Sequence, residues 1–225
     1  WSIIVALTKF NYNSFDLTTA ASKGLAFNSS ANGFETSSST SMVLIKTLTA
    51  SSSGTLDFLN GSDSVVFDST YPTYLFKFIS CHPGTNGAKL AFQVDTGTNT
   101  SYNTTVTGTA FKAYHKEDGS TSVLGYDIHD IYQDTSFVNL GTDVIGDNDA
   151  SVSGQLFIFN PSSTTFVKHY LSVTNGMTDG SPPYSEVRYR AGYFNTTTAL
   201  TRIQFKMDSG NIDAGTIKMY GIKDS

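Results

Sequence analysis

The chain predicts an all-β protein: an antiparallel β-sandwich, of jelly-roll type, behind an irregular N-terminal arm. Three observations lead there. Ser and Thr supply 59 of the 225 positions while Glu occurs only three times, a composition rich in strand and turn formers and poor in helix formers. Short apolar or alternating runs recur between clusters of Gly, Asn, Asp and Ser, which is the rhythm of a sandwich or barrel. No window sustains the i, i+3, i+4, i+7 pattern of an amphipathic helix beyond about one turn.

In order along the chain, the first candidate strand is 2–7 (SIIVAL). Residues 11–40 are Ser-, Asn- and Ala-rich, with scattered Phe15, Leu17, Leu25, Phe27 and Phe34 and no period. A structureless stretch of that length is unusual inside a compact domain, so 1–40 is expected to be an arm or linker and 41–225 the sandwich. Candidate strands in the sandwich are 42–49, 55–59, 64–67, 74–80, 89–95 and 110–115. They continue with 126–133, 154–159, 166–174, 186–193, 201–207 and 215–222. In 202–207, Ile203, Phe205 and Met207 alternate with Arg202, Gln204 and Lys206, one buried and one wet face at a strand's period of two. Pro83, Gly84, Asn86 and Gly87 between 74–80 and 89–95 suit a turn, so that pair reads as a hairpin with a long loop.

Composition also excludes. Net charge is −5 with only three Arg (Arg188, Arg190, Arg202), which argues against nucleic acid, whose capture needs a basic footprint. No apolar run reaches the roughly 20 residues of a membrane-spanning helix. The apolar opening is too short for a signal-peptide core and lacks a basic flank. A lone Cys81 rules out an internal disulfide framework and reads as a small buried residue.

Candidate chemistry is sparse. Asp127 and His129 sit at i, i+2 on one strand face, half of a metal site by ligand type; the competing reading is a polar outward face. His169 reads as a sheet-surface residue beside Lys168 and Tyr170. The loop 141–149 (GTDVIGDND) is oxygen-rich, but it lacks the spacing and closing Glu of a calcium loop and reads as a turn. No nucleophile elbow or phosphate-cradling Gly loop is present. Glu35, Glu117 and Glu186 stand in no recognisable glycosidase setting. No catalytic, metal-binding or cofactor-binding residue is therefore assigned, no cofactor is expected, and the chain is not expected to be an enzyme. The sequons at Asn28, Asn60, Asn99, Asn103 and Asn195 are expected by chance in so Asn- and Thr-rich a chain. Tyr71, Tyr102, Tyr184 and Tyr193 lie in turn-like contexts, where rigid aromatics offer contact surface to a sugar or a protein neighbour.

The segment 201–222, TRIQFKMDSGNIDAGTIKMYGI, reads as a strand, a Ser-Gly-Asn turn and a closing strand. Gly210 and Gly215 suit positive φ, and Gly221 a bulge or a close backbone contact. This ending resembles the C-terminal hairpin of β-rich virion structural proteins of bacteriophages, marine ones especially. LIKTLT at 44–49, YLFKF at 74–78, LAFQVD at 90–95 and GQLFIFNP at 154–161 are similar as well. The resemblance covers roughly 41–222 and not 1–40. It implies a structural protein on the virion exterior, either a capsid decoration (cement) protein or part of a tail fibre, with no catalytic residues. Long repeats and heptads, usual before a fibre head, are absent from the sequence, which leans towards the head. Implied partners are further copies of the chain, as a homotrimer, and major capsid or tail proteins. The alternative is a receptor- or carbohydrate-binding module reading host surface glycans.

Overall fold

The computed structural model describes residues 24–27, 30, 34–37, 41–127 and 130–223. The chain divides into two units, Trp1–Ser41 and Met42–Ser225. In the first, β1 (Gly24–Phe27) pairs antiparallel with β2 (Phe34–Ser37), and the Phe27 and Phe34 rings stack at 4.9 Å. Sequence reasoning expects no regular structure in this stretch; four-residue strands are too short to leave a legible period. Candidate strand 2–7 lies outside the described residues.

The second unit is an antiparallel β-sandwich, all-β as expected, with no helix among the described residues. One sheet has four strands in the order β10 (Val138–Asn139), β6 (Leu90–Thr96), β14 (Leu200–Met207), β4 (Leu56–Leu59). The other has nine. Its order is β3 (Met42–Thr49), β15 (Ile212–Ile222), β5 (Thr73–Pro83), β11 (Val152–Phe159), β12 (Lys168–Thr178), β13 (Tyr184–Phe194), β7 (Val106–Lys116), β8 (Ser122–Tyr126). The ninth, β9 (Ile131–Asp134), also pairs with β7. The chain alternates between sheets from β3 to β7 and crosses again at β10 and β14, whereas β11, β12 and β13 form a meander within the larger sheet. This order establishes a sandwich; the jelly-roll type is an expectation beyond it.

The apolar core lies between the sheets, and Phe205 is its hub. Its ring meets Phe58, Phe76, Phe78 and Phe92 at centroid distances of 6.0, 5.3, 5.4 and 6.2 Å. The alternation read in 202–207 is the reason: Ile203, Phe205 and Met207 are fully buried. Cys81 is buried there too, and burial pushes its thiol up to about 12.

Pairing departs from expectation in two places. Strands β5 and β6 are not a hairpin, because they lie in different sheets, and the turn at 84–87, just after Pro83 ends β5, carries the chain across the sandwich. The same holds for the C-terminal pair: β14 joins β4 and β6, while β15 joins β3 and β5. The glycines there behave as expected. Gly210 and Gly215 have φ of 69° and 117°, and a side chain at Gly221 would strike the Tyr71 ring. Two element assignments also change. Residues 64–67 are a turn and loop, although Val65 and Phe67 are buried and Val66 exposed, so a plug of the core mimics strand alternation. The candidate strand 126–133 is split, with β8 ending at Tyr126 and β9 starting at Ile131.

Candidate functional site: an inverted end of the larger sheet

The break between β8 and β9 is the structural key. Asp127 donates its N–H to the Ala110 carbonyl at 3.0 Å and turns inward, where it is fully buried. The Asp130 carboxylate then accepts the Ala110 N–H at 3.1 Å, supplying the partner that the broken ladder omits. The expectation that Asp127 belongs to an outward polar face is therefore corrected. Inside, Asp127 receives two guanidiniums, Arg188 Nε at 2.8 Å and Arg190 at 3.5 Å from the same oxygen.

Both arginines come from β13, whose inward positions are Glu186, Arg188 and Arg190, each 1% exposed. Arg188 also bonds Glu186 at 2.9 Å and donates to the Gly141 carbonyl, and Lys112 of β7 reaches Glu186 at 3.2 Å. Burial lowers the Arg190 guanidinium from its ordinary value, opposed by the neighbouring Tyr170, Asp127 and Asp130. On β12 the inward residues Ser172, Thr174 and Thr178 are buried as well. Thr174 donates to the Leu140 carbonyl at 2.6 Å, and the Thr178 and Thr142 hydroxyls share a bond of 2.5 Å. Here the inner face is thus covered by segment 140–142, which meets Thr174, Thr178 and Arg188 through hydrogen bonds.

The outer face of the same strands is the reverse. Registers align Leu171, Ala191 and Thr109 in one row, and Val173, Tyr189, Phe111 and Tyr126 in the next. A third row holds Asn175, Val187, Ala113 and Leu124. No charged side chain occurs in these rows. Tyr189 and Phe111 stack at 4.8 Å, nearly parallel, yet they are 39% and 49% exposed, and Leu124 is 77% exposed. Beyond β12 the first row continues through Phe157, Leu75, Tyr220 and Leu44, of which Leu75 is buried and Leu44 exposed, while the second meets Gln155, Lys77 and Lys218. Apolar side chains gathered on one exposed face are a feature that interaction surfaces share.

The residues singled out in the sequence fall differently. Ile128 and His129 lie outside the described residues, and among the described residues no group of three or more His, Cys, Asp and Glu is arranged for a metal. The acidic loop 141–149 spends Asp143 on Lys89 and closes a turn from Asp147 to Ala150. His82 pairs with the Ala150 carbonyl at 2.7 Å and His115 with the Lys116 carbonyl at 2.8 Å. His169 is exposed on the outer face as expected, 6.0 Å from the Tyr193 ring. Glu186 belongs to the internal cluster, while Glu117 stands in an exposed turn and Glu35 on β2. Of the four tyrosines, Tyr71 packs on Tyr74 and Tyr102 donates to Asp57 at 2.6 Å, so both serve the fold. Tyr184 leans on Tyr114. The exposed Tyr126, Tyr132 and Tyr189 were missed. Tyr189 had a signal, because in 186–193 polar Glu, Arg and Arg alternate with Val, Tyr and Ala without declaring which set faces inward.

No family model, curated protein or solved structure matches this chain.

Proposed function

We propose that this chain is an exterior structural protein of a virus particle, most simply a capsid decoration or cement protein. Its outer apolar face is the surface that docks on neighbouring particle subunits, further copies in a homotrimer among them. The observation carrying this reading is the inverted end of the larger sheet. Charges are held inside at a desolvation cost, while Tyr189, Phe111 and Leu124 are left to solvent, an arrangement that becomes favourable once a partner covers the face. The sequence resemblance of 41–222 to virion proteins supplies the kind of partner. The reading includes no catalytic step and no cofactor.

Immunogold labelling of intact particles in the source preparation tests it. Label over heads supports a decoration protein. Label restricted to tails supports the fibre assignment, and no label on any particle overturns the virion reading.

A further inference from the structure

One part of the outer face is indented rather than flat. An open cleft of about 440 Å³ lies where β8 breaks from β9, against β7 and β13, within the range of small-molecule sites, about 300–1,000 Å³. Its walls are Tyr126, Tyr132, Tyr193 and His169. Tyr126 and Tyr132 are 67% and 82% exposed, so these rings are not held there by the core. Thr109 and Ala191 keep the floor low, and Gly108 and Gly192 are direct cross-strand partners beside them.

Polar groups converge on the same place. Asp130 accepts from the Tyr126 hydroxyl and from the Ala110 N–H, and the Thr109 hydroxyl donates to Tyr126 at 3.2 Å. Tyr170 is also among the residues lining the cleft, but its ring belongs to the core between the sheets, 5.3 Å from Phe92, and its hydroxyl is buried there without a hydrogen-bond partner among the described residues. It is pressed so closely to Gly108 and Gly192 that a side chain at either would collide with it.

We propose that this cleft binds a neutral glycan, one or two hexose units deep. Exposed aromatic rings offer flat apolar faces to the C–H side of a pyranose. The Asp130 carboxylate and the Thr and Tyr hydroxyls then accept from and donate to the sugar's hydroxyls, the carboxylate most strongly. With Asp130 the one carboxylate and no Lys or Arg among the lining residues, an anionic sugar is repelled. The proposal rests on the outer face being a contact surface and is independent of where the protein resides. The flat rows through Tyr189 and Leu124 meet protein, and the cleft beside them meets sugar.

The test uses the full chain on an array of neutral and anionic oligosaccharides, with the leading neutral sugar then titrated calorimetrically. Expected is saturable binding of a neutral glycan, weakened at least tenfold by Tyr132→Ala and by Asp130→Asn and unchanged by Leu124→Ser. Tyr132 is mostly exposed, so its replacement leaves the fold intact even if that of Asp130 does not. No neutral glycan bound at millimolar concentration, a preference for anionic sugars, or undiminished binding by Tyr132→Ala would overturn the site. None of these outcomes bears on particle labelling, so the two proposals fail separately.

Discussion

The two ends of the larger sheet solve the same problem in opposite ways. Around β5, β11 and β15 the inward side chains are Phe76, Phe78, Leu156, Ile217 and Met219, all buried against the four-stranded sheet. Around β13 and β7 they are Glu186, Arg188, Arg190 and Lys112, closed over by the Asp127 break and segment 140–142. One end gains stability by removing apolar surface from water. The other holds ions in a low-dielectric space and is specified by geometry, since breaking such a cluster is costly even where making it gains little. The outer faces teach the rest. A sheet end that turns its charges inward and its aromatics outward leaves Tyr189, Phe111 and Leu124 in water.

The contrast can be broken from either side. The largest effect is expected in the apolar core, where Phe205→Ala removes the ring that joins four others and destabilises by about 3–5 kcal/mol, read as a lowered urea midpoint. Asp127→Asn leaves Arg188 and Arg190 without the carboxylate they share and is expected to cost about 3 kcal/mol. Replacing the cluster as a whole by apolar residues of similar volume should restore most of that loss, which separates stranded charge from lost packing.

A pH series comes next. Tyr74 and Tyr170 are pushed up to about 12 from an ordinary 10.0, and Cys81 to about 12 from 9.0, chiefly by burial. Each folded form holds its proton more tightly than the unfolded chain, so the contribution is intact below pH 9 and is lost as pH climbs towards 12. Urea midpoints should be level from pH 7 to 9 and fall steeply above 10, and Cys81 should resist thiol reagents at pH 8 until the chain unfolds. The smallest effect on stability is expected on the outer face. Tyr189→Ser should shift it by under about 1 kcal/mol while weakening the proposed homotrimer, with sedimentation as the readout.

Most strands were legible. Residues 42–49 coincide with β3, and 201–207 fall within β14, because one wet and one buried face leave a period of two. What was not legible was anything set by a partner distant in sequence. The Ser-Gly-Asn turn at 209–211 looks the same whether it closes a hairpin or carries the chain between sheets, as it does here. Asp127 looks like a surface residue until Arg188 and Arg190, some 60 positions away, are brought under it. The cleft was invisible for the same reason: Tyr126 and Tyr132 meet His169 and Tyr193 only through the β12, β13 and β7 registers.

The most direct test of the outer face as a covered contact surface is hydroxyl-radical footprinting of free protein against intact particles. The account predicts that Tyr189 and Phe111, open in the free chain, are protected several-fold on the particle while Tyr132 in the cleft stays reactive. Equal oxidation of Tyr189 and Phe111 in both states would contradict it.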